Sequence, residues 1–189
     1  MLALTIMSLV ATVVATLMYS VAKGTNSRDV VQGENTAIDV ACARINAAIR
    51  PGGQVLAQGN NFIVIWTSDA NGNMKPNISE MRRLELNPTT KELSLYGAPA
   101  SLPPSADARY DLSQDFDQVT RPLRDTEVFP GTTLINGIQS WTPACVGPMS
   151  TSRMVTYTVT LAPVTRGSDP LTARSSAALR GQVSSKSNP

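Results

Sequence analysis

The sequence predicts an α+β protein: a long N-terminal helix, half membrane-spanning and half packed on a domain, against a mainly antiparallel β-sheet domain. Three observations lead there. Met1 to Ala22 include no charged side chain. A helical stripe of apolar residues then runs on toward Arg50. From Asn60 onward, short alternating runs are punctuated by clusters of Asn, Pro, Gly and Asp.

The first segment reads MLALTIMSLVATVVATLMYSVA over residues 1–22. At a helical rise of about 1.5 Å per residue it reaches roughly 30 Å, the thickness of a bilayer's hydrocarbon core. Its polar residues Thr5, Ser8, Thr12, Thr16 and Ser20 recur about every fourth position and line one helix face. Small side chains let helices approach closely in lipid, which makes Thr5, Ser8, Thr12 and Thr16 the candidate helix-packing residues. A cleaved secretory signal is the rival reading, because Ser20-Val21-Ala22 has a small-x-small pattern. Two features oppose it. No basic residue precedes the apolar run, and apolar residues recur beyond it at Val30, Val31, Ala37, Val40, Ala41, Ile45, Ala48 and Ile49. That stripe has a helical period and is stopped by Pro51-Gly52-Gly53. The implied organisation is a transmembrane helix over 1–22, its continuation packed on the outer domain over 23–50, an extracytoplasmic β domain over 51–183, and a disordered tail over 184–189.

Within the outer domain, FIVIW from Phe62 to Trp66 is an uninterrupted apolar run and predicts a strand buried on both faces. Strands follow at about Glu80–Leu86 and Glu92–Tyr96, joined by the turn Asn87-Pro88-Thr89-Thr90, whose residues suit a hairpin connection. The Pro-, Asp- and Ser-rich stretch Gly97–Pro130 predicts a long surface excursion with a short helix near Leu112–Leu123. Strands return at Thr132–Trp141, at Met154–Leu161 and, after a turn at Arg166–Pro170, at Leu171–Leu179. The sum is five or six antiparallel strands after one helix.

Composition narrows the chemistry. The formal net charge of +2 does not call for a nucleic-acid surface. Arg153, Arg166, Arg174, Arg180 and Lys186 against Asp169 bias the end of the chain, which reads as a solvated strand face and a ragged end. Histidine is absent, which removes the commonest general base and zinc ligand. No nucleophile motif stands in a strand–turn–helix setting, so catalytic residues are not expected. Ser20-Val-Ala-Lys23 has the S-x-x-K spacing without its partner motifs, and Asn77-Ile-Ser79 is a bare sequon.

Two patterns remain. Asp69, Asn71, Asn73, Asn77 and Glu80 occupy positions 1, 3, 5, 9 and 12 of a calcium-loop spacing. The sixth position is Met74 where such loops have Gly, so an Asx-rich hairpin loop is the preferred reading and calcium the minor one. No other cofactor is expected. Cys42 and Cys145 are either a disulfide tying the helix to the sheet or two buried free thiols; an oxidising compartment allows the first.

Taken together, MLALTIMSLVATVVATLMYSV, FIVIWTSD with SEMRRLELNPTTKELSLY, TTLINGIQSW, RMVTYTVTL and TARSSAALR resemble the type IV pilin superfamily, closest to J-type minor pseudopilins of type II secretion. Gly97–Pro130 is unmatched. The resemblance implies a subunit held in the cytoplasmic membrane, with its C-terminal domain in the periplasm. Its partners would be other pseudopilin or pilin subunits, met through the N-terminal helix near a filament tip. The family's N-terminus is processed and methylated, and its mature start resembles Phe-Thr-Leu-x-Glu after a basic leader ending in Gly. Position five here is Thr5, and MLALTIMSLV aligns just after that Glu. The expectation is that Met1 is an internal methionine and that the leader and Glu are encoded upstream. The alternative function is a membrane-anchored extracytoplasmic binding module unrelated to filaments.

Overall fold

The computed structural model describes residues 16, 18, 20, 32, 33, 35–163 and 169–181. Eight strands dominate it, in two antiparallel sheets. The first sheet is a meander of five: β1 (Gln54–Gln58), β2 (Phe62–Trp66), β3 (Met81–Asn87), β4 (Glu92–Gly97) and β5 (Gly131–Asn136). The second is a meander of three: β6 (Ile138–Cys145), β7 (Met154–Leu161) and β8 (Leu171–Ala178). Helical backbone runs over 35–49, here α1, and over Phe116–Asp125, here α2.

The expected α+β architecture with a long N-terminal helix requires correction. Among the described residues the continuous helical stretch is 35–49, the protein is mostly antiparallel sheet, and no helix is long and apolar enough to cross a membrane. The physical reason lies in composition. α1 carries Asn35, Asp39, Arg44 and Asn46 and has one apolar stripe, which the sheets take up. Of the apolar run only Thr16, Met18 and Ser20 are described, each helical and exposed; Thr5, Ser8 and Thr12 lie outside the described residues. The turn expected at Arg166–Pro170 and the tail 184–189 lie largely or wholly outside them too.

Strand expectations fare better, with two differences. The strand expected over Thr132–Trp141 is two strands in different sheets. Gly137 has φ +75°, a conformation that L side chains avoid, and there the chain leaves the five-stranded sheet for the three-stranded one. β1, Gln54–Gln58, was not expected; its QVLAQ sequence is an edge strand with a bulge between Val55 and Ala57 and little alternation.

Two cores result. The larger unites α1 with both sheets: Ala41, Ile45 and Ile49 meet Ile63, Ile65, Leu84 and Leu93 of the first sheet and Trp141, Val155, Tyr157 and Val159 of the second. The opposite face of the first sheet carries Val64 and Met81, covered by Phe116 of α2 together with Ile78 and Phe129. β2 is therefore buried on both sides, as its unbroken apolar run requires. α2 starts at Asp115, whose side chain accepts from Asp117 N at 2.9 Å.

A polar clamp holds α2 in place. Arg83, on the same face as Val64, is 1% exposed. Its Nε lies 2.6 Å from Glu85 Oε2, and its Nη1 lies 2.8 Å from Asp117 Oδ1 and 3.0 Å from Thr120 Oγ1. The guanidinium stands 4.1 Å from the Phe62 ring centroid, and Arg124 Nη1 joins Glu85 from α2 at 2.7 Å.

Candidate assembly surface

α1 has two unlike faces. Ala37, Ile38, Ala41, Cys42, Ile45 and Ile49 turn into the larger core. Thr36, Val40, Ala43 and Ala47, at helical spacing, are exposed, with Val40 at 45%. The helix is pinned from both sheets. Arg44 Nη1 donates to Leu134 O of β5 at 2.8 Å. The Tyr157 hydroxyl of β7 lies 3.0 Å from both Cys42 O and Asn46 Oδ1 and donates its one proton to one of them at a time. Burial pushes the Tyr157 phenol up to about 12.

Cys42 and Cys145 are unbridged in the structure, and both are partly buried. Both pack at the edge of the larger core, but each has its own neighbour, Cys42 the Tyr157 hydroxyl and Cys145 the Ser152 hydroxyl. Burial raises both thiols above their ordinary range.

The loop Asp69–Glu80 closes on its own backbone. Asp69 Oδ1 accepts from Asn73 N and Oδ2 from Met74 N, both at 3.0 Å. Asn71 Oδ1 accepts from Asn73 N, and Asn73 Oδ1 from Lys75 N. Asn77 Oδ1 accepts from Asn73 Nδ2. Glu80, 4% exposed, receives Ala70 N on Oε1 and both Trp66 Nε1 and Asn77 N on Oε2. These oxygens hold a network of Asx turns. Among the described residues no group of three or more His, Cys, Asp or Glu side chains is placed to hold a metal ion. The sixth position nonetheless takes the conformation the calcium spacing asks of glycine: Met74 has φ +58°. A left-handed conformation costs a side chain of this kind roughly 1–2 kcal/mol, and Met74 is also 47% exposed.

A second loop docks on this one. Asp107 receives Ser79 N and Ser79 Oγ at 2.8 Å, Lys75 pairs with Asp111 at 2.6 Å, and Asn77 forms a bridge with Arg109. Nothing in the sequence signals that the Gly97–Pro130 excursion folds back here, because Asn77 and Asp107 stand 30 residues apart with β3 and β4 between them.

The class defined by this geometry is a two-sheet antiparallel β domain with one amphipathic helix shared by both sheets and a second clamped to the outer face of the larger. Comparison of the chain with protein-family models, with curated proteins and with solved structures finds no match in any of the three.

Proposed function

We propose that this chain is a structural subunit of a pseudopilus- or pilus-like filament, a minor or tip subunit that assembles by helix packing and performs no catalysis. The observation that carries the reading is the division of α1. Its apolar face is committed to the core of the domain, while Val40, Ala43 and Ala47 offer a small-residue face outward. The pilin-like segments of the sequence and the uncharged run from Met1 to Ala22 support the same reading. They also support a location at the cytoplasmic membrane with the β domain on its outer side. Other filament subunits and membrane lipid are then the partners.

The test replaces Ala43 and Ala47 together with Glu. Exposed substitutions of this kind leave stability within roughly ±0.5 kcal/mol. The expected result is a folded chain that no longer co-purifies with partner subunits from cells. Undiminished recovery of those subunits overturns assembly through this face. A groove at the far end of α1 favours the second reading, an extracytoplasmic binding module unrelated to filaments.

A further inference from the structure

That groove lies where α1 ends. A cavity of about 320 Å³ opens there between three loops, with Trp66 and Gln54 among its lining residues. Met74, Leu112, Arg153 and the polar run Ser150–Ser152 line it as well. Trp66 is 1% exposed, whereas Met74 and Leu112 are among the most exposed large apolar residues of the domain. Met74 is presented from a left-handed backbone held by Asp69. Exposed methionine adapts readily to apolar partners, and strained residues cluster at functional sites.

Charge gives the partner's character. Arg153 Nη1 donates to Gly53 O at 2.9 Å, and Arg153 has no ion-pair partner among the described residues. The same holds for the exposed Arg50 and Arg180, and main-chain bonds draw all three together. Leu179 N donates to Arg153 O, and Arg180 N to Arg50 O, each at 2.9 Å. In sequence Arg153 and Arg180 read as a solvated strand face; the fold brings their backbone together with that of Arg50 beside a mixed cavity in which Trp66, Met74 and Leu112 are the apolar lining.

We propose that this groove docks an acidic segment of a partner protein, with an apolar side chain in the cavity and carboxylates on the arginines. Arg153 is the central cation, since guanidinium groups recognise carboxylates in a fixed fork geometry. The inference stands apart from assembly through α1, whose surface it does not use.

The test titrates the full chain in detergent micelles with acetyl-Glu-Leu-Glu-Phe-Glu-Leu-Glu-amide, read by calorimetry and by tryptophan fluorescence. The expected result is saturable binding that weakens at least about tenfold in Arg153→Ala and in Met74→Asn, as for loss of an interface anchor. Asn accepts the left-handed backbone, so the second variant removes the apolar side chain and keeps the loop. A peptide with Lys for Glu, or with Ser for Leu and Phe, should bind no more than weakly. Equal binding by wild type and both variants, or by the Ser peptide, overturns the proposal. So does binding only to vesicles of anionic phospholipid and to neither acidic peptide.

Discussion

Replacing Arg83 with alanine is expected to destabilise the domain by about 3–5 kcal/mol, the cost typical of breaking a buried ion pair from one side. The loss has several parts. Glu85 and Asp117 side chains, only 13% and 21% exposed, would face each other across the vacated guanidinium site with only the more exposed Arg124 and Arg121 left to pair them. The Thr120 hydroxyl, fully buried, would lose its donor, and Phe62 its charge–ring contact. Arg83→Lys should recover little of this, because an ammonium cannot reproduce the fork that reaches Glu85 through Nε and Asp117 through Nη1. Replacing Arg83, Glu85 and Asp117 together with apolar residues of similar volume should be far milder than Arg83→Ala, since the cations left over are the exposed Arg121 and the partly exposed Arg124, which keeps Asp125. Denaturant unfolding of the variants checks this. Arg83→Ala within about 1 kcal/mol of wild type would show that the clamp is not what holds α2 to the sheet.

Gly181→Ala is expected to cost about 2–3 kcal/mol, near the upper end of the overpacking range. Its Cβ would stand against the Thr67 carbonyl oxygen, 2.5 Å from Pro51 O and 2.8 Å from Gly53 N. All three are main-chain atoms and cannot rotate away. Gly181 does not have a positive φ, so the requirement is close approach of backbones and not conformational freedom. The chain after β8 closes the fold there: Gly181 N donates to Gly52 O and Arg180 N to Arg50 O, both at 2.9 Å. Denaturant unfolding should show the loss, and hydrogen exchange should show faster exchange at the amides of Arg180 and Gly181. A stability equal to wild type would mean that this closure can be released without consequence.

Local chemistry made much of the β structure legible. FIVIW announced β2 because a strand covered on both faces can be apolar without interruption, and VTYTVTL announced β7 by alternation. The Asn87-Pro88-Thr89-Thr90 turn was readable because Asn87 Oδ1 accepts from the amides of Thr89 and Thr90, a purely local arrangement. Gly137 was a visible residue with an invisible role, since a strand-breaking glycine and a switch between sheets look alike in one dimension. The fold class was overdrawn at the N-terminal side: an apolar run and an amphipathic stripe were joined into one long helix, where the structure has α1 over 35–49.

The candidate surfaces depended on long-range placement. The period of α1 showed its apolar face, but not that Leu134 and Tyr157 of two different sheets would pin it. The Asx loop reads as hairpin turns from the missing glycine at its sixth position, yet Met74 adopts the glycine conformation all the same. The arginine cluster beside Trp66 could not be read, because Arg50, Arg153 and Arg180 meet only through the closure of β7 and β8 onto the end of α1.

The most direct measurement of the central claim is photo-cross-linking in cells from a benzophenone side chain placed at Ala47, on the open face of α1. A second chain carries the probe at Thr158, on the outward face of the three-stranded sheet. If the chain is a filament subunit assembled through α1, position 47 should cross-link to small proteins that themselves carry an uncharged apolar N-terminal run, and position 158 should not. Cross-links of the same kind from both positions, or none from Ala47 while the chain is folded and membrane-associated, would contradict the account.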